Sequence, residues 1–186
     1  RASELLADNA LAVSAVLWAG GFTGSDGRSH KESIEDALEA VQLTADLKAG
    51  SLVVYTGPRA GHTHNHAKRL FRVAIDELLP CAEERGVTLA LEPMHVGCAS
   101  SWTFLTNLDE TLELIRSFDS PHVKLVFDAY HFGHLPGIAD RFVRRRDQFA
   151  QFTATDVDAH LPAVAASGLG VVKTASVAGL PAHRGP

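Results

Sequence analysis

Two carboxylates stand where apolar runs give out. Glu92 follows Val87-Thr88-Leu89-Ala90-Leu91, and Asp128 follows Val123-Lys124-Leu125-Val126-Phe127. Both runs read as buried strands. In parallel α/β folds the functional groups gather at the carboxyl ends of strands, so the two acids are expected to face one pocket mouth. Pro93 stops the first run and leaves Glu92 at the rim with His95 just above it. His131 comes three residues after Asp128, a spacing that lets it fold back over the same cavity. Oxygen and nitrogen donors together suit a divalent cation, Mn, Mg, Co or Zn, without choosing among them. The plainer alternatives are that Glu92 pairs with a rim Lys or Arg, since charged residues are seldom buried unpaired, and that His131 is a lone imidazole on a polar loop.

Two further groups of residues have chemistry to offer. The stretch Thr56-Gly57-Pro58-Arg59-Ala60-Gly61-His62-Thr63-His64-Asn65-His66 sets three histidines at every second position. As a loop over the pocket it would bring Arg59 and His64 to a substrate; as a solvated lead-in to a helix it would be capped by Thr63 or Asn65. Trp18 and Trp102 are candidates for the wall of a sugar pocket, with burial in the core as the alternative for each.

The elements that must position these residues repeat. Strand-like runs at Val13–Leu17, Leu52–Tyr55, Val87–Leu91 and Val123–Phe127 end 38, 36 and 36 residues apart. Between them, His30–Lys48 and Ala67–Arg85 carry apolar residues at three-and-four spacing, and a third helix opens at Asn107 and runs to about Phe118. Glu110 is placed to complete a capping box with Asn107. A short helix is expected over Ser3–Ala10. Alternating strands and helices predict a parallel sheet, and four near-equal periods favour a closed barrel or part of one. Inward-facing Glu92 puts Ala90 and Thr88 on the barrel side and turns Leu89 and Leu91 toward the helices. The same phase leaves Lys124 inside, an awkward charge.

Composition sets outer bounds. At 186 residues, 46% hydrophobic and 21% charged, the chain has the make-up of an ordinary globular domain. A formal charge of −5 supplies no basic field for nucleic acid. No apolar run approaches a membrane span. Cys81 and Cys98 match no zinc or redox spacing and suit a reducing, cytoplasmic setting.

With these residues in view, the chain resembles the sugar phosphate isomerase/epimerase family of xylose isomerase-like barrels, whose relatives include ketose epimerases and apurinic-site endonucleases. The resemblance spans about Leu11 to Gly137 and rests on Leu91-Glu92-Pro93, on Phe127-Asp128 followed by His131, and on the strand spacing. It implies an α/β fold of the (β/α)8 TIM-barrel type, incomplete here, with about strands two to six and a seventh left open. One partial barrel over residues 1–176 and a tail over 177–186 are expected, since a whole barrel needs about 250 residues. The resemblance puts Glu92 and Asp128 on a divalent metal, makes Glu92 catalytic, and has His131 touch the substrate; His95, Trp18, Arg59 and His64 are further substrate-binding candidates. The implied partner is a small sugar or sugar phosphate, with self-association open.

The family's remaining ligands, on its sixth and eighth strands, have no clear match here. Gln151 and Thr153 compete for the first position, and the chain ends before the second. Cys98 stands where ketose epimerases often place a second Glu, and Tyr55 where endonucleases place a metal-binding His. The implied activity is metal-assisted proton transfer next to a carbonyl through an enediolate, weakened in this chain by its incomplete ligand set. A metal-dependent phosphoesterase or apurinic-site endonuclease, and a non-catalytic fragment, are the alternatives.

Overall fold

A computed structural model describes residues 2–138, 144, 146–148 and 150 of the chain. Within them four parallel strands, β1 (Val16–Gly20), β2 (Ser51–Tyr55), β3 (Thr88–Leu91) and β4 (Val123–Leu125), pair in chain order. Helices α1 (Ala2–Asp8), α2 (His30–Asp46), α3 (His64–Arg85), α4 (Leu108–Arg116) and the single turn α5 (Ala129–Phe132) alternate with them. Strands in sequence order with helical crossovers are what the constant repeat predicted. Of the expected sixth strand at 149–153 only Ala150 is described, its N–H donating to the Leu125 carbonyl at 2.9 Å, and an expected helix at 158–166, a seventh strand at 170–176 and the tail lie outside the described residues.

Helices α2, α3 and α4 begin where a capping side chain satisfies free N–H groups. At α2 the Ser29 hydroxyl accepts from the Glu32 N–H (3.2 Å) while the Glu32 carboxylate accepts from the Ser29 N–H (2.7 Å), a reciprocal capping box. Thr63 caps α3 by accepting from the His66 N–H, and Gly86 ends it in the left-handed region at φ 67°, where a side chain would be strained. Asn107 caps α4 by accepting from the Asp109 and Glu110 N–H groups, but the expected reciprocal arm from Glu110 is not made. The Glu110 carboxylate is drawn instead to His64 (2.7 Å) and Lys68 (3.6 Å) of α3.

Strand alternation divides the interior in two, as the sequence predicts. Leu52, Val54, Leu89, Leu91 and Leu125 face the helices and pack with Ile34, Val41, Phe71, Ile75, Leu78 and Leu112. Val53, Ala90 and Val126 face the other way, packing with Ala15 and Ala150. Lys124 pairs in register with Ala90 and so shares this inner phase. Its charge is met by the Asp147 backbone carbonyl, to which the ammonium donates.

Two strands depart from expectation by more than one residue. β1 is displaced from Val13–Leu17 to Val16–Gly20, because Ala19 and Gly20 pair with Val54 and Tyr55 across an irregularity after Val16. The close approach at Gly20 is a tertiary contact that no local pattern of branched residues announces. β4 stops at Leu125 rather than Phe127, although the Val126 N–H still reaches the Leu91 carbonyl at 2.8 Å. The chain then turns away because Asp128 caps α5. Among the described residues no helix is long and apolar enough to cross a membrane.

Candidate metal centre at the strand ends

Glu92, Asp128 and His131 converge. One ligand-type atom from each, a carboxylate oxygen or an imidazole nitrogen, lies within 4.8 Å of the other two. Three local features bring this about. The Glu92 N–H donates to the Val54 carbonyl (3.0 Å), continuing the β2–β3 ladder, and Pro93 ends it. The Asp128 carboxylate accepts from the Tyr130 N–H at 2.7 Å and starts the turn of α5. That turn, with the His131 N–H on the Asp128 carbonyl (3.1 Å), swings the imidazole back over the acids.

The electrostatics of the trio favour a positive charge beside it. Glu92 is 6% exposed and His131 8% exposed. Glu92 Oε2 and His131 Nδ1 are buried without a hydrogen-bond partner. Unpaired buried polar atoms cost about 1–3 kcal/mol each, and more when charged, so a native structure holding two side by side calls for a ligand between them. Burial raises the Glu92 carboxyl to about 7, and the neighbouring Asp128 charge adds to this, while a hydrogen bond from Trp18 pulls the other way. Burial draws the His131 imidazole below its ordinary value, with His95 acting in the same sense and Asp128 against it. A neutral imidazole and two acids that repel each other form a donor set that fits a divalent cation. Neither plainer alternative is met: among the described residues no Lys or Arg pairs with Glu92, and His131 is buried.

A wall of aromatic rings borders the trio. Trp18 lies 5.3 Å from Trp102 and 6.2 Å from Tyr55, and Tyr55 lies 6.1 Å from Trp102, all centroid to centroid and tilted. Burial in the core, the alternative for the two tryptophans, is overturned: they are 45% and 43% exposed. Tyr55 joins this wall, which the sequence reading builds from Trp18 and Trp102 alone. The signal was present, because Val54 pairs with Leu91 and the next residue on each strand is Tyr55 and Glu92, so both occupy one level of the rim.

Trp102 is held from below by a buried hydroxyl pair. The Thr56 hydroxyl donates to the Gly57 carbonyl (2.8 Å) and accepts from the Phe104 N–H (3.0 Å), and it lies 3.0 Å from the Thr103 hydroxyl. Thr56→Val keeps the shape but strands the Phe104 N–H and the proton of the Thr103 hydroxyl, whose oxygen still accepts from the Leu105 N–H. It is expected to destabilise the protein by about 1–3 kcal/mol and to shift tryptophan emission to the red, as read by urea titration followed by fluorescence. An unchanged midpoint and spectrum would remove the hydroxyl pair from this role.

The other candidates are not drawn into the trio. His64 lies on α3, not in a loop, with its ring edge on Phe104 (5.6 Å) and Nε2 on Glu110, tying α3 to α4. The start of α3 thus follows the lead-in reading, with Thr63 as cap. Arg59 is exposed in the loop after β2. His95 is exposed; its Nδ1 accepts from the Gly97 N–H (3.1 Å) and its ring meets that of His134 at 6.0 Å.

The sequence profile of the xylose isomerase-like TIM barrel family matches residues 1–173. The chain belongs to that family. A search of functionally curated proteins finds no match. Among solved structures, protein SMc04130 from Sinorhizobium meliloti 1021 is similar at 28% identity and a TM-score of 0.68, over 77% of this chain and 52% of that one. The 3-keto-D-glucoside 4-epimerase YcjR from E. coli is similar at 14% identity and a TM-score of 0.72, over 91% and 73%. The IolI protein, solved with a bound zinc atom, is similar at 18% identity and a TM-score of 0.64, over 80% and 54%. The chain therefore spans about half the length of the first and third of these.

Proposed function

We propose that this chain is a metal-dependent sugar isomerase or epimerase, acting by proton transfer at the carbon next to a carbonyl. The observation that carries the reading is the convergence of Glu92, Asp128 and His131 with two of their buried polar atoms unpartnered. The barrel of an E. coli sugar epimerase and that of zinc-bound IolI share the fold, which supports it.

Glu92, Asp128 and His131 would hold the cation. A divalent cation there supplies Lewis-acid polarisation of a substrate carbonyl and offsets the negative charge that develops on its oxygen. The Glu92 carboxylate is suited to take a proton from the neighbouring carbon and to return it. His131, kept neutral by burial, offers nitrogen rather than a competing charge. His95 and the rings of Trp18, Tyr55 and Trp102 flank the position a sugar would take.

The hydrolytic alternative gains nothing from the described residues, since Tyr55, where an endonuclease-like metal ligand would stand, is part of the aromatic wall. The test is proton exchange in D2O with Mn2+ or Zn2+ and a panel of ketoses and keto-sugars, followed by NMR. Deuterium should enter next to the carbonyl only when metal is present. Metal binding without exchange on any sugar, or hydrolysis of abasic DNA instead, would contradict the proposal.

A further inference from the structure

Resting on the metal centre of the proposed function, we infer that Trp18 is a positioning residue for Glu92: its indole N–H holds one carboxylate oxygen and so turns the other, Oε2, toward the cation shared with Asp128 and His131.

The two acids of the trio solve the same problem by different routes. A carboxylate that is to meet an ion through one oxygen needs the other held, and such outer partners orient metal ligands and set affinity. Asp128 finds its partner locally, because Oδ1 accepts from the N–H two residues on, that of Tyr130, at 2.7 Å. Glu92 has no such neighbour. The next residue is Pro93, which carries no N–H, and the N–H two residues on, that of Met94, is committed to the Leu105 carbonyl at 3.1 Å. The donor has to come from another strand, and it comes from Trp18 of β1, which hydrogen-bonds Glu92 and leaves Oε2 buried without a partner.

An indole suits this task. Its N–H donates and accepts nothing, so it holds a carboxylate in one sense and does not compete for the ion as an imidazole would. It also carries no charge, whereas a Lys or Arg in its place would repel the cation. The ring is braced: Trp18, Tyr55 and Trp102 meet at 58–66° in a corner, each against the other two. Glu92 is 6% exposed, so the indole edge that meets it is withdrawn from water, although the ring as a whole is 45% exposed. A donor fixed in this way keeps Glu92 in place before the ion arrives.

The full chain is titrated with Co2+ at pH 8, where the visible bands read both affinity and donor geometry. Trp18→Phe keeps a ring in the corner and loses the N–H. It is expected to weaken Co2+ about 10–100-fold and to change the shape of the saturated bands, since the released carboxylate can turn. Trp102→Phe disturbs the same corner but removes no partner of Glu92, and should keep the affinity and bands of the wild type. Should Trp18→Phe melt at a lower temperature, the indole N–H signals of the wild-type chain, which has two tryptophans, give a second reading by 1H–15N NMR. One of them should exchange slowly with water and move when Zn2+ is added. Unchanged affinity and bands in Trp18→Phe, an equal loss in both variants, or rapid exchange of both indole N–H groups overturns the inference. Absence of bands in the wild-type chain removes the metal centre and this inference with it. Co2+ bound as expected, with no proton exchange on any sugar, leaves Trp18 in this role and removes the catalytic reading alone.

Discussion

Glu92→Gln is expected to make the metal-free protein more stable at pH 8, not less, with the gain shrinking to under about 1 kcal/mol at pH 5. The carboxyl sits at about 7 in the folded chain against an ordinary 4.5. Between those values the folded state holds a proton that the unfolded state has released, so stability falls as pH rises through the window. Above pH 7 the full cost of a buried charge next to Asp128 is present, on the order of 3 kcal/mol. Below pH 4.5 Glu92 is neutral in both states and the cost disappears. Gln has nearly the same shape and no charge, so the variant should lack this slope. Urea denaturation with a chelator, at pH 5 and pH 8, gives the comparison. Added zinc should then reverse the order at pH 8, because cation binding needs the carboxylate. A variant less stable than wild type by the same amount at both pH values would show that Glu92 carries no such buried charge.

Gly20→Ala is expected to be among the most damaging single substitutions in the chain. A methyl group at Gly20 would lie 2.0 Å from the Tyr55 carbonyl oxygen and 2.9 Å from its carbonyl carbon. The obstruction is backbone in a paired strand, so no rotamer change relieves it, and β1 must separate from β2. Overpacking typically costs about 1–3 kcal/mol where side chains can move; here the loss should reach or pass the upper end of that range. The same displacement would carry Trp18 away from Tyr55 and open the aromatic corner. A thermal melt with tryptophan emission as the probe reads both effects. A melting temperature and spectrum matching wild type would mean that the close pairing at Gly20 is not needed.

Much of this arrangement was legible in the residues because it follows from periodicity. The inward phase of Val53, Ala90, Val126 and Glu92 is fixed by alternation along strands, and the meeting of Glu92 with Asp128 by the repeat between strand ends. His131 was placed by its distance from Asp128, and the single turn of α5 supplies the geometry. The features that escaped are set by contacts distant in sequence. Glu110 resembles the second arm of a capping box until α3 brings His64 and Lys68 beside it. Trp18 and Trp102 resemble core residues until the Thr56–Thr103 hydroxyl pair fixes the loop that carries Trp102. The displacement of β1 depends on how closely Gly20 can approach Tyr55, which no local preference records.

The most direct test of the metal centre is a Co2+ titration followed by visible absorption, because the ligand-field bands report bound donor atoms without requiring turnover. The wild-type chain at pH 8 should develop bands that saturate at one equivalent, and these should be lost in Asp128→Asn and weakened in His131→Ala. Saturation of equal intensity and affinity in Asp128→Asn, or no bands in the wild-type chain, would contradict the convergence of these side chains on a common cation.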